Sequence, residues 1–365
     1  GFSLPVLCLL ACVVINFFFI YRGLSGGIER VCLWGMPLLI LCALLVLARV
    51  LTLGTPDPAH PERNVLAALA YMWDIRGGFT GLLHSLQNAE MWMAAASQIF
   101  FSLSVGFGVI INYSSYLKKR DDIALSSTTA AAGNEFCEVS LGGLITIPAA
   151  FIFLGVAGTT GGTFGLGFQT LPLVFAHMPA GQLFGFLWFF LLFIAALTSS
   201  LSMLQPAIAF MEEGLDLDRR GSVTLIGFIT LMGTGLVIWF TQDLAALDAM
   251  DFWIGSFSIF LLATIQTLIY GWVLGPRRGR EELERGALLP IPRMFDFVIR
   301  YISPVYLLSV FGLWIHQKGA ESLTAIQTNP SVRITLLFII SVIIFFLLLI
   351  ARAVRVWHAR ESKSP

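Results

Sequence analysis

The chain has 365 residues, 57% of them hydrophobic and only 12% charged, and its 22 basic residues balance its 22 acidic ones. That composition excludes a soluble globule and describes an all-α polytopic membrane protein, while the zero net charge gives nucleic acid nothing to bind. Cys8, Cys12, Cys32, Cys42 and Cys137 lie in or beside apolar segments and do not read as a disulfide framework, and the five histidines lack ligand spacing. Neither a zinc site nor a nucleophilic triad fits, so the chain does not read as an enzyme.

A bilayer crossing needs about 20 apolar residues. The sequence predicts nine, over about 4–21, 31–53, 89–117, 126–154, 182–211, 223–240, 252–274, 297–315 and 334–354. Polar segments 54–88, which has room for short helices, and 155–181 read as extracellular loops, and the basic segment 275–296 as a cytoplasmic one. Alternate loops divide the 22 lysines and arginines into sets of 17 and 5. The richer set marks the cytoplasmic face, which puts Gly1 outside and the C-terminal Pro365 inside an inner (plasma) membrane. The chain starts at Gly1, enters a span almost at once and shows no charged leader, which reads as a chain whose beginning is missing.

The third span holds the run QIFFSLSVGFG, Gln98 to Gly108. Two hydroxyls and two glycines at its centre are poor material for an unbroken helix. Unwound backbone at that depth is tolerated only where it faces protein or a watery cavity, and a discontinuous helix points to a transport site. The alternative is a packing interface of small residues. In the fourth span Asn134 and Glu138, four apart, share one face, with Glu135 to one side. A carboxylate there would balance a bound cation; the alternative is a structural pair between helices. In the fifth span Thr198 and Ser202 share a face, and Ser199 and Met203 the next; such hydroxyls also bond back to their own helix. Taken together, these converging oxygen donors suit sodium, a hard cation, and not copper or zinc.

With Leu141-Gly142-Gly143, Leu187-Trp188-Phe189-Phe190, Leu197-Thr198-Ser199-Ser200, Gln205-Pro206 and Met250-Asp251-Phe252-Trp253 added to these stretches, the whole chain resembles the neurotransmitter:sodium symporters. It is most similar to bacterial amino-acid transporters of the leucine-transporter type. The resemblance implies an inverted-repeat, broken-helix fold in which the nine spans correspond to the fourth to twelfth of about twelve. The family's first three spans, of which the unwound first supplies much of both sodium sites and binds the substrate carboxylate, have no counterpart here, so the chain reads as a fragment.

Carried over residue by residue, the resemblance places Ser102 and Asn134 at a first sodium, and the Ala195 carbonyl, Thr198 and Ser199 at a second. Phe101, Ser102, Ser104, Phe107, Ser199 and Met203 fall on the substrate pocket, Phe101 also near the family's aromatic lid. Glu138 stands where chloride-dependent members carry a small hydroxyl residue, which implies chloride independence. Asp251 falls at the outer gate, Glu213 at the inner gate and Tyr116 near it. The implied function is sodium-driven symport of a neutral, hydrophobic amino acid in the lipid bilayer, with no cofactor beyond the coupling sodium. Two alternatives stay open: an incomplete, non-transporting chain, and a carrier of the same fold for another small organic substrate. The oligomeric state is not legible.

Overall fold

A computed structural model describes residues 4–75, 77–160, 162–240 and 244–361. Gly1, Arg76, Lys363 and Pro365, which entered the sequence reading, lie outside them. In chain order, α1 (Leu4–Tyr21) and α2 (Gly26–Leu51) precede the short α3 (Val65–Trp73) and α4 (Gly78–Leu86). An interrupted pair follows, α5 (Ala89–Ser102) and α6 (Val109–Ser114). Then come α7 (Ile123–Leu154), the short α8 (Leu171–His177), α9 (Gly181–Leu215) and α10 (Arg219–Trp239). α11 (Ala245–Leu274), the short α12 (Pro276–Leu283), α13 (Met294–Thr328) and α14 (Pro330–Glu361) complete the chain.

Among the described residues, eight helices are long and apolar enough to cross a membrane. The 14 residues of α5 and the 6 of α6 are each too short, since a helix rises about 1.5 Å per residue against a hydrocarbon layer of about 30 Å. Most of the apolar surface of the long helices faces outward: α14 exposes Leu337, Ile340, Ile343, Ile344 and Leu347. That is the pattern of helices solvated by lipid rather than by water.

The chain forms two compact units, one of residues 1–21, 84–128 and 202–365, the other of 22–83 and 129–201. The second unit is built on a core of Cys42, Val46 and Val50 from α2, Ile145 and Ala149 from α7, Val174 and Phe175 from α8, and Trp188 from α9. On its rim the α3 ring of Tyr71 packs 5.0 Å from Phe151, and its hydroxyl meets Thr159 Oγ1 at 2.7 Å. The start of α9 comes so close to the end of α8 that a Cβ on Gly181 would lie 1.7 Å from the Phe175 carbonyl oxygen. Only glycine can occupy that position.

In the first unit α5, α11 and α13 share a core of Met93, Ala96, Phe260, Leu307, Val310 and Trp314. Rings extend it in tilted and stacked contacts: Phe257 lies tilted 5.4 Å from Trp314 and Phe260 stacks 6.3 Å from Phe311. The N-terminus of α5 is capped by Asn88, which accepts from Met91 N–H, and by Gln317 of α13, whose Oε1 accepts from Ala89 N–H at 3.1 Å.

At the other end of this unit, Arg219 in the first turn of α10 gathers three elements. Its Nη1 donates to Glu212 Oε1 at 3.3 Å, and its Nη2 donates to Gln205 Oε1 at 3.2 Å and to the Ile20 carbonyl at the end of α1. Gln205 is buried, so this amide oxygen depends on the guanidinium for its partner. Arg219→Met keeps the stem and strands Gln205 and Glu212; it is expected to lower stability by roughly 2–3 kcal/mol. Arg220→Met, which loses only an exposed bond to the Tyr21 hydroxyl, should cost less than about 0.5 kcal/mol. Thermal unfolding of the two variants in detergent measures the contrast.

Candidate functional site

The interruption between α5 and α6 is a specific backbone device. Ser104 N–H bonds to the Phe101 carbonyl at 3.0 Å and Val105 N–H reaches five residues back to the Phe100 carbonyl at 2.8 Å. Those paired bonds are a Schellman cap, which needs a left-handed residue where the chain turns out of the helix. Here that residue is Ser104, at φ 57. Gly106 and Gly108 follow at φ 89 and 79, and helical bonding resumes with Asn112 N–H on the Gly108 carbonyl at 2.9 Å. The strained position therefore carries a hydroxyl, where glycine would be the relaxed choice.

Neighbours in the same unit fix this stretch. A Cβ on Gly106 would lie 3.0 Å from the Ile259 carbonyl oxygen of α11, so the backbones approach closely there. Gly108 faces Pro206 of α9, with a would-be Cβ 3.6 Å from the Pro206 ring. Phe101 and Phe107 bracket the break, their rings edge to face at 5.4 Å. The Ser102 hydroxyl donates to the Ile99 carbonyl at 3.3 Å. Met203 is partly buried on α9.

The second unit holds the remaining oxygen donors. Asn134 Nδ2 donates to Glu138 Oε2 at 3.2 Å across one helical turn, while Glu135 is exposed. On α9 the Thr198 hydroxyl donates to the Ile194 and Ala195 carbonyls at 3.0 and 3.1 Å, the back-bonding that a buried hydroxyl in a helix commonly makes. Its methyl faces Gly35 of α2, where a Cβ would lie 3.0 Å from Ile194 and 3.8 Å from Thr198. Ala195 is partly buried and Ser199 is exposed.

Of the residues that the resemblance assigns to gates, Asp251 begins a wider, π-type stretch of α11 and is exposed, its Oδ1 against Gly255. Glu213 is exposed, and among the described residues the ion pair at this end of α9 belongs to its neighbour Glu212 with Arg219. Tyr116 is exposed just beyond α6. The Arg219 cluster was not singled out in the sequence, where Arg219 counted only as a charge; a glutamate and a glutamine seven and fourteen residues before it were the available hint.

The chain matches the model of the sodium:neurotransmitter symporter family over residues 3–359. It is 28% identical over 308 residues to an uncharacterized sodium-dependent transporter of Haemophilus influenzae, covering 82% of this chain and 63% of that relative. A similar transporter of Methanocaldococcus jannaschii is 26% identical over 309 residues, 80% of this chain and 57% of its own. A sodium- and chloride-dependent glycine transporter of Xenopus laevis is 26% identical over 250 residues, 63% and 39%. The chain thus spans about four- to six-tenths of the length of these relatives.

The left-handed serine yields a direct test. Ser104→Gly should raise stability by about 0.5–1 kcal/mol, the relief of side-chain strain less the added freedom of the unfolded glycine. Ser104→Val should lower it by more than about 1 kcal/mol. Melting temperatures in detergent would show the opposite signs.

Proposed function

The chain belongs to the sodium:neurotransmitter symporter family, and from that premise we propose that it carries out sodium-driven symport of a neutral, hydrophobic amino acid by alternating access. The interrupted helix at 103–108 carries this reading, because it turns backbone dipoles and the Ser104 residue out of the helical ladder, with Ser102 at the last position before the break. Ser102 and Asn134 hold the first sodium, which shares its shell with the substrate carboxylate and so links the two by direct attraction. The Ala195 carbonyl, Thr198 and Ser199 hold the second; the Thr198 hydroxyl, already donating to Ala195, keeps its lone pairs for the cation. The membrane potential adds about 2.3 kcal/mol per charge per 100 mV to inward movement of sodium.

Phe101, Phe107 and Met203 give the substrate pocket an apolar character, supported by the edge-to-face ring pair, with Ser104 and Ser199 as its hydroxyls. No residue in that set is charged, which favours a neutral side chain on the substrate. Glu138, hydrogen-bonded to Asn134, supplies the negative charge that a chloride ion would otherwise bring, so transport is chloride-independent. Asp251 serves the outer gate, Glu213 and Tyr116 the inner one. The protein sits as a multi-pass component of the inner membrane with its C-terminus cytoplasmic, as the asymmetry of basic residues favours.

Uptake of a radiolabelled amino acid into vesicles, measured with and without sodium, tests the assignment in the protein as its gene encodes it. Asn134→Ala and Ser102→Ala should each lower sodium-dependent uptake by about tenfold or more, the loss of about 1.4 kcal/mol of cation binding. Uptake unchanged in the Asn134 variant would remove the first sodium from this place. Glu138→Ser should make uptake depend on chloride; continued indifference to chloride would count against the charge-balance role.

A further inference from the structure

The segment between α11 and α13 folds into a platform that the transport reading does not use. Its acids are spent internally. Arg280 pairs with Asp296 at 2.8 Å and with Glu284 at 3.2 Å, and donates to the Ile291 and Pro292 carbonyls. Arg285 pairs with Glu282 at 2.9 Å, and Arg277 with Glu281 at 3.5 Å. A second segment, between α6 and α7, is fastened to it. The Asp122 carboxylate accepts from Leu288 N–H at 2.7 Å and from Leu125 N–H at 2.8 Å, and those two N–H groups hold its carboxyl below the usual carboxylate range. Gly286 lies so close to the Arg120 carbonyl that a Cβ would sit 2.7 Å from it. Asp121 accepts from Lys118 N–H.

What remains is a set of exposed cations without an acidic partner among the described residues: Lys118, Lys119, Arg120, Arg278 and Arg293. Over residues 118–122 and 275–300, nine basic residues face six acidic ones, a net charge of +3. Beside them apolar side chains protrude where no span requires them: Leu288 is 78% exposed and Leu289 64%, in the turn that Asp122 holds. Met294 and Phe295, at the entry to α13, are exposed too. Trp272, near the end of α11, is exposed as a ring and bonds through Nε1 to the Arg300 carbonyl at 2.8 Å, the posture of an aromatic at a membrane–water boundary.

We propose that this platform is a docking surface for anionic phospholipids of the leaflet in which the chain's own spans end: Leu288 and Leu289 dip into the acyl boundary, and the unpartnered Lys118, Lys119, Arg120, Arg278 and Arg293 hold the headgroup phosphates. Charge and position select this occupant. A soluble acidic protein would satisfy the cations but leave the protruding leucines beside two membrane-spanning helices; lipid satisfies both. Each basic residue near an anionic surface contributes roughly fivefold in binding, and the attraction weakens with salt.

The test is retention of lipid by the purified chain. Protein exchanged into equimolar phosphatidylglycerol and phosphatidylcholine is examined by native mass spectrometry. Wild type should retain phosphatidylglycerol preferentially, and Lys119→Gln/Arg278→Gln/Arg293→Gln should lose most of that preference at unchanged helix content. The double variant Arg278→Lys/Arg293→Lys, with Lys119 kept, should retain it, and Arg352→Gln/Arg355→Gln, which removes charge from the far end of α14, should leave it intact. Equal retention of the two lipids by wild type, full retention by the glutamine variant, or an equal loss in the α14 variant would overturn the proposal. So would displacement of the lipid by inorganic phosphate or by an acidic peptide at millimolar concentration. Should the glutamine variant fail to fold, photoreactive phosphatidylglycerol on wild type decides: cross-links within 118–122 or 276–297 support the platform, and cross-links confined elsewhere refute it.

Discussion

A helix that stops inside hydrocarbon exposes N–H and carbonyl groups that no water can satisfy, at several kcal/mol for each one left bare. The ending of α5 is the constraint to which its whole unit answers. Two N–H groups are recovered by the cap on Phe100 and Phe101. The remaining backbone is brought against protein, by Gly106 at the Ile259 carbonyl of α11 and Gly108 at Pro206 of α9. The aromatic core of α5, α11 and α13 then holds the first half of the interrupted helix rigidly enough for the break to recur at one place.

Polar groups within the spans follow two different economies. Arg219 spends its two terminal nitrogens on a carboxylate, an amide and a helix-end carbonyl, so its value lies in joining α1, α9 and α10. Asn134 and Glu138 are bonded to each other across one turn, which sets an amide and a carboxylate side by side. The first kind of contact ties distant segments together, whereas the second needs only its own helix.

Much of this was legible in the amino-acid order because it is local. Apolar runs long enough to span announce themselves, and Asn134 and Glu138 met because residues four apart share a helical face. The break was visible in the glycines and hydroxyls after Phe101, yet the residue that turns the chain is Ser104, whose left-handed backbone no propensity would nominate while two glycines stood nearby. The Arg219 joint was invisible for another reason: Ile20 lies 199 residues away, and no periodicity connects them. Likewise Glu212, not Glu213, meets Arg219; one residue on a helix is a rotation of about 100°, and only packing fixes which of two adjacent acids faces inward.

The meeting of α2 and α9 at Gly35 has an evolutionary corollary. A methyl placed there would stand 3.0 Å from the branched tip of Ile194, with the Thr198 methyl close behind. An alanine at position 35 is therefore admissible only alongside a slimmer side chain at 194, and drift at either position is conditional on the other. Among descendants of this sequence the two sites should be inherited as a matched pair, with the shape of the contact kept and its residues exchanged together.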